Sequence, residues 1–192
     1  MDKSKYSYIA SGDDDFSKML MESDIFPIKT DSQVLFSTYY KHAIIYDGFQ
    51  NAFSIGPNTG NQITTNVHKT ADDWTRISLK GKNIYSFSKA VCGSCYTLYS
   101  LILVGGIKSI GLCWQGANCG KPFYIQADVK DIFGGDKTAV ATTNDRNIII
   151  MSELMTMTNY YYHKPFIVSL PSYTKEVACL DKSVLVLSVY DD

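Results

Sequence analysis

An all-β fold of propeller type, a partial ring of about four four-stranded blades, is what this sequence predicts, and three observations carry that expectation. One local phrase occurs three times: Ser11-Gly12-Asp13-Asp14-Asp15-Phe16, Ile55-Gly56-Pro57-Asn58-Thr59-Gly60 and Gln115-Gly116-Ala117-Asn118-Cys119-Gly120, with anchor glycines 44 and 60 residues apart. A second phrase aligns without gaps in four copies: VLFSTYYKHAIIY from Val34, SKAVCGSCYTLYS from Ser88, KDIFGGDKTAVAT from Lys130 and KEVACLDKSVLVL from Lys175. A supersecondary unit returning at this period signals an array of like units. Finally, short apolar runs are punctuated by hairpin signals, while helical periodicity is confined to Phe16 to Glu22.

Along the chain, Tyr6 to Ala10 reads as an outer strand ending in the Gly12 turn. The Val34 copy then gives a strand, a tight turn and a more buried strand. Asp47-Gly48 closes a hairpin into Phe53 to Ile55, which runs into the Gly56 and Gly60 turns. Gly takes a positive φ cheaply, and Asn or Asp tolerates it best among other residues. The long segment Asn61 to Asp73 reads as a rim loop before an outer strand, Trp74 to Leu79. The Ser88 copy turns at Gly93, the Gly105-Gly106 pair makes the next hairpin, and Gly116 and Gly120 mark the following turn. The Lys130 copy turns at Gly135, Asn144-Asp145 precedes the Ile148-Ile149-Ile150 run, and the Lys175 copy closes the pattern. One repeat is thus about four short strands in roughly 45 residues, the size of a propeller blade. The expected organisation is one domain over 1–192, with units at 1–23 (a closing strand), 24–62, 63–122, 123–159 and an incomplete 160–192.

The four-copy phrase has informative columns. Its third position is apolar (Phe36, Ala90, Ile132, Val177) and its turn position is small or thiol-bearing (Thr38, Cys92, Gly134, Cys179). A polar or aromatic residue follows at His42, Tyr96, Thr138 and Ser183, and His42 reads as a structural hydrogen bonder inside a blade. Lys41, Lys137 and Lys182 precede that column and would form a positive rim, interrupted by Cys95.

Composition narrows the function classes. In 192 residues, 45% are hydrophobic and 13% aromatic, with 14 Tyr and 9 Phe, which suits packed sheets. The formal net charge is −1, so no global basic field attracts nucleic acid or membrane. The N-terminus builds no apolar signal core, and no apolar run is long enough to cross a bilayer. Five cysteines in a leaderless chain point to free thiols and a cytoplasmic or nuclear location.

Candidate chemistry is sparse. Cys92-x-x-Cys95 with Cys113 and Cys119 has partial zinc spacing, but Cys92 falls in a repeat column where a small buried residue suffices. Asp13, Asp14 and Asp15 lack the alternating ligands and distant bidentate carboxylate of a calcium loop. They read instead as a solvated acidic turn available to a basic partner. No Ser or Cys nucleophile can be assigned a base, so no catalytic, cofactor or metal site is expected. The partner-contact candidates are Asp13, Asp14, Asp15, Lys41, Lys137, Lys182 and His68, the last in the long rim loop.

Val91-Cys92-Gly93-Ser94-Cys95-Tyr96-Thr97-Leu98 resembles one half of the regulator of chromosome condensation repeat, with Tyr where that repeat has His. Asp47-Gly48 with Phe53-Ser54-Ile55-Gly56-Pro57-Asn58-Thr59-Gly60 resembles the other half. Trp114-Gln115-Gly116-Ala117-Asn118-Cys119-Gly120 matches its end with one insertion, and Asp145 to Ser152 is a worn copy. The resemblance implies a non-enzymatic protein-interaction scaffold presenting rim loops to a protein partner. The alternative it implies is a guanine-nucleotide exchange factor for a small GTPase. Trp74 and Trp114 are too few for the tryptophan-based photoreception of one branch. Such rings usually hold about seven blades; four leave two sheet edges and two blade faces bare. A homodimer or a ring-closing partner is therefore expected.

Overall fold

The computed structural model describes residues 18, 35–39, 42–47, 49–56, 71–77, 83–94, 96–114, 123–152, 165–181 and 183–189. Within these, the first sheet holds β1 (Leu35–Tyr39), β2 (His42–Tyr46), β3 (Ala52–Gly56) and β4 (Ala71–Arg76), in that order. The second holds β5 (Ile84–Cys92), β6 (Tyr96–Leu103), β7 (Lys108–Trp114) and β8 (Phe123–Gln126). The third holds β9 (Val129–Gly134), β10 (Thr138–Thr143), β11 (Asn147–Ser152) and β12 (Phe166–Ser169). The fourth pairs β13 (Tyr173–Cys179) with β14 (Val184–Val189). Every pairing is antiparallel between strands adjacent in sequence, so each sheet is a meander.

The sheets cut the repeat at a different strand from the expected units. β4 hydrogen-bonds β3 and so closes the first sheet, where 24–62 had ended that unit and 63–122 had claimed the Trp74 strand. Likewise β12 closes the third sheet, beyond the expected limit at 159. Hydrophobic pattern reveals the strands but not which neighbour an outer strand joins; the ladder decides that. The outer strand also begins at Ala71, so Ala71, Asp72 and Asp73 belong to it and not to the rim loop.

Three hairpins fall where the sequence signalled them. In the β2–β3 turn the buried Asp47 carboxylate accepts from Phe49 N (2.8 Å), Asn51 N (3.3 Å) and Asn51 Nδ2 (2.7 Å). An Asp side chain bonding to backbone just downstream stands in for a backbone turn. Gly105 and Gly106 turn β6 into β7 with φ of 95° and 79°. Arg146, at φ 64°, turns β10 into β11, and Thr143 Oγ1 braces it by accepting from Asn147 N at 3.0 Å.

Consecutive sheets stack through their first and second strands, and the cores lie between sheets. Ile44, Tyr46 and Ala52 of the first sheet meet Phe87, Ala90, Cys92, Tyr99 and Leu101 of the second. Tyr96, Leu98 and Ile110 of the second meet Val129, Ile132, Ala139, Ala141, Ile149 and Met151 of the third. Val140 and Ile148 of the third meet Val177, Val184 and Val186 of the fourth. The second strand of an interior sheet is therefore buried on both faces, as all six residues of β10 are. Alternation along a strand sends odd and even residues to opposite sheets. That explains why these strands carry apolar residues at consecutive positions, as Ala139, Val140 and Ala141 do. No helix among the described residues is long and apolar enough to cross a membrane.

Candidate functional site: the turn rim between blades

At one end of the sheets, the turn joining first and second strands repeats a single backbone bond. Gly93 N donates to Tyr96 O (3.0 Å), Gly135 N to Thr138 O (2.9 Å) and Leu180 N to Ser183 O (2.8 Å). The residue opening each second strand then reaches into the next sheet's turn. Tyr96 Oη donates to Gly135 O (2.9 Å) and approaches Thr138 O at 2.8 Å. Thr138 Oγ1 donates to Asp181 O at 2.9 Å. Ser94 adds two more links, its N and Oγ both reaching Asp136 O, at 2.9 and 3.1 Å. Buried bonds of this kind contribute about 1 kcal/mol each and cost more when one partner is removed.

His42 opens the column, buried, with Nε2 3.3 Å from Thr97 Oγ1 of the second sheet. It thus bonds between blades, not inside one as expected, because the first position of a second strand faces the following sheet. Burial pulls its pKa down to about 4, against a smaller opposing effect of the Tyr96 backbone. The ring is neutral at pH 7.

The glycines of these turns serve close approach. A Cβ on Gly93 would lie 2.0 Å from the Tyr96 ring, and one on Gly135 would lie 2.8 Å from Cys179 O. Neither has a positive φ, whereas Gly56, in the phrase where the sequence predicts one, does, at 118°. Lys137 sits half-buried on this rim beside the half-buried Asp136. The other contact candidates, Asp13, Asp14, Asp15, Lys41, Lys182 and His68, lie outside the described residues, as do Gly12, Gly60, Gly116 and Gly120. The structure therefore places Lys137, the described member of the lysine column, on the rim.

Two features escaped sequence reasoning. Lys89 of β5 pairs with Asp131 of β9 at 2.7 Å and lies 5.2 Å from the Phe133 ring centroid. The Lys175 phrase aligns Glu176 with this pair, so the column could have suggested a charged position. Tyr96 was noted as a substitution for His, but its donation to the neighbouring turn depends on a distance sequence does not give. Cys92 is fully packed: its N donates to Ser37 Oγ at 3.1 Å, its Sγ lies 3.6 Å from Ser37 O, and burial pushes its pKa up to about 12. Cys179, half-buried, is pushed by burial up to about 11. Thiolate is the metal ligand and nucleophile, so both positions are chemically quiet. Among the described residues no group of three or more His, Cys, Asp or Glu could hold a metal ion.

Solved structures share this architecture. Human WBSCR16 matches with a TM-score of 0.62 at 15% identity, over 88% of this chain and 46% of that one. Yeast RCC1 (Prp20), in its complex with Kap60, matches at 0.57 and 12% identity, over 84% and 43%. Prp20p from Saccharomyces cerevisiae, described with its binding to Gsp1p and histones, matches at 0.58 and 10% identity, over 84% and 44%. The chain spans less than half the length of each. No family model matches the sequence, and no curated protein matches it. The fold is a β-propeller of the regulator of chromosome condensation type, built here as three four-stranded sheets and one two-stranded sheet among the described residues.

Proposed function

We propose that this chain is a non-enzymatic interaction scaffold whose turn rim binds a protein partner. The observation carrying this reading is the chain of bonds from turn to turn, Tyr96 to Gly135 and Thr138 to Asp181. It holds successive turns in fixed relation, and a surface already ordered loses little freedom on binding. Structural neighbours with protein partners support it: Prp20 is bound to Kap60 in one, and its binding to Gsp1p and histones is described with another. Lys137 is the described contact candidate; Asp13, Asp14, Asp15, Lys41, Lys182 and His68 complete the proposed set. Cytoplasm or nucleus is the proposed location, and a homodimer or ring-closing partner the proposed assembly.

The second reading, guanine-nucleotide exchange on a small GTPase, follows from the repeat resemblance. One experiment separates the two. Release of labelled nucleotide is measured across a GTPase panel at substoichiometric amounts of the chain, alongside direct binding. A scaffold binds without accelerating release; catalytic acceleration replaces this reading with exchange. Lys137→Glu is expected to weaken rim binding at least tenfold while leaving the circular dichroism spectrum unchanged.

A further inference from the structure

At the end of the sheets opposite the turn rim lie the hairpins that join second strands to third. In the third sheet this end is polar. Asn144 N donates to Asp128 O at 3.0 Å, and Asn144 Nδ2 donates to Asp128 Oδ2 at 2.9 Å. The same backbone bond recurs one sheet earlier, where Val104 N donates to Asn83 O at 2.8 Å. Val104 thus holds the place of Asn144, yet it is 59% exposed. The fold accepts a polar residue at this position, so packing does not account for the valine.

Three more exposed apolar residues gather around it. Ile107, across the hairpin tip, is 41% exposed, and its carbonyl accepts from Leu103 N at 2.9 Å. Gly105 and Gly106 stand in open space between the two, since a Cβ on either would meet nothing within 4 Å. Phe49, 57% exposed, is brought from the first sheet to β5 by its carbonyl, which accepts from Phe87 N at 2.8 Å. Tyr85, 60% exposed, lies two residues from Asn83 and two from Phe87. Strand rise puts it about 7 Å from either bond. Isolated apolar residues on a surface are ordinary, whereas a contiguous group with a polar border marks a contact site.

That border holds one cation in place. Asn51 Nδ2 donates to the Asp47 carboxylate at 2.7 Å, and Asn51 Oδ1 accepts from Arg76 Nη2 at 3.4 Å. Arg76 is exposed and pairs with no carboxylate among the described residues. Asp47 is buried and already accepts from Phe49 N and Asn51 N as well. Lys108, next to Ile107, is neutralised by Asp128 at 2.5 Å.

We infer that Phe49, Tyr85, Val104 and Ile107 form a docking site for a segment of a protein partner. That segment carries apolar side chains beside an Asp or Glu, which pairs with Arg76. A membrane fits less well, because anionic lipid is held at about 1 kcal/mol per Lys or Arg and Arg76 is the unmatched cation here. Further sheets would stack on the first or the fourth and leave uncovered these tips, which lie where two sheets already stack. The site is separate from the turn rim and does not rest on the reading proposed for it.

The test selects a random dodecapeptide display library on the immobilised full chain and labels an enriched peptide for fluorescence anisotropy. Enriched peptides are expected to place Asp or Glu beside apolar residues and to bind saturably. Binding should weaken at least tenfold for V104D/I107D and for Arg76→Glu, each with an unchanged circular dichroism spectrum. Replacing the peptide's acid with Lys should restore binding to Arg76→Glu, and this charge swap decides alone if V104D/I107D does not fold. Lys137→Glu, on the turn rim, should leave peptide binding unchanged. No enriched peptide, or binding untouched in a folded V104D/I107D, overturns the inference. Binding lost only in Lys137→Glu also overturns it and assigns the peptide to the turn rim. Binding to phosphatidylserine-containing vesicles that V104D/I107D abolishes overturns it in favour of a membrane. A dimer by light scattering that V104D/I107D dissociates overturns it in favour of a second copy.

Discussion

Tyr96 shows how one side chain decides the register between blades. Its ring lies against Gly93, and its hydroxyl bonds the Gly135 carbonyl in the next turn. Tyr96→Phe keeps the ring but leaves that carbonyl without its donor, a change expected to cost about 1–3 kcal/mol. Urea unfolding checks it, and a loss below about 0.3 kcal/mol would mean the inter-blade bond contributes nothing. His42 gives a pH signature. Its folded pKa, about 4, lies below the ordinary 6.5, so the unfolded state binds the proton more tightly. Stability is therefore full above pH 6.5, falls as pH drops toward 4, and levels off below that, by an amount on the order of 3 kcal/mol. His42→Gln is expected to flatten that part of the stability profile between pH 7 and 4.5, with carboxylate effects common to both proteins. Equal slopes would show that His42 does not stay neutral in the fold.

At the scale of strands, identical-looking residues differ by whether a sheet covers them. Ile132 on β9 and Leu185 on β14 both occupy apolar columns, yet Ile132 is fully buried while Leu185 is 70% exposed. Ile132→Ala should cost about 2–5 kcal/mol through lost transfer energy and a cavity. Leu185→Ala should stay within about 0.5 kcal/mol. Comparable losses at both sites would mean that the Leu185 face is covered in solution. The Lys89–Asp131 pair, about two-fifths exposed on each side, belongs with modest contributors of about 0.2–1 kcal/mol. The strands and three hairpins were legible because period-two pattern and turn chemistry are local. The phase of the sheets was not, since an outer strand such as β4 carries no signal naming the ladder it joins.

Across the whole molecule, stability should grade from the inner sheets outward. β6 and β10 lie between two covered faces, whereas β12 and β14 each border solvent along their length. Amides of β6 and β10 are expected to exchange only through global opening, and those of β12 and β14 through local opening at much lower free energy. Hydrogen exchange followed by mass spectrometry checks this, and uniform protection across all four sheets would contradict it. The same gradient connects fold to function. The turn rim runs from the buried second sheet to the more exposed fourth, and bonds between successive turns hold it together along that gradient.

The repeat was readable from the sequence because each blade is made by the same short-range rules: alternation, a small residue at the turn, and an apolar third position. Its period and register alone predicted an all-β propeller. What tertiary structure decided was everything that passes between blades: the reach of Tyr96 and Thr138 into the next turn, the neutral His42, and the close approach that requires Gly93 and Gly135. These depend on distances between segments some 40–55 residues apart, and no local pattern encodes the packing that sets them.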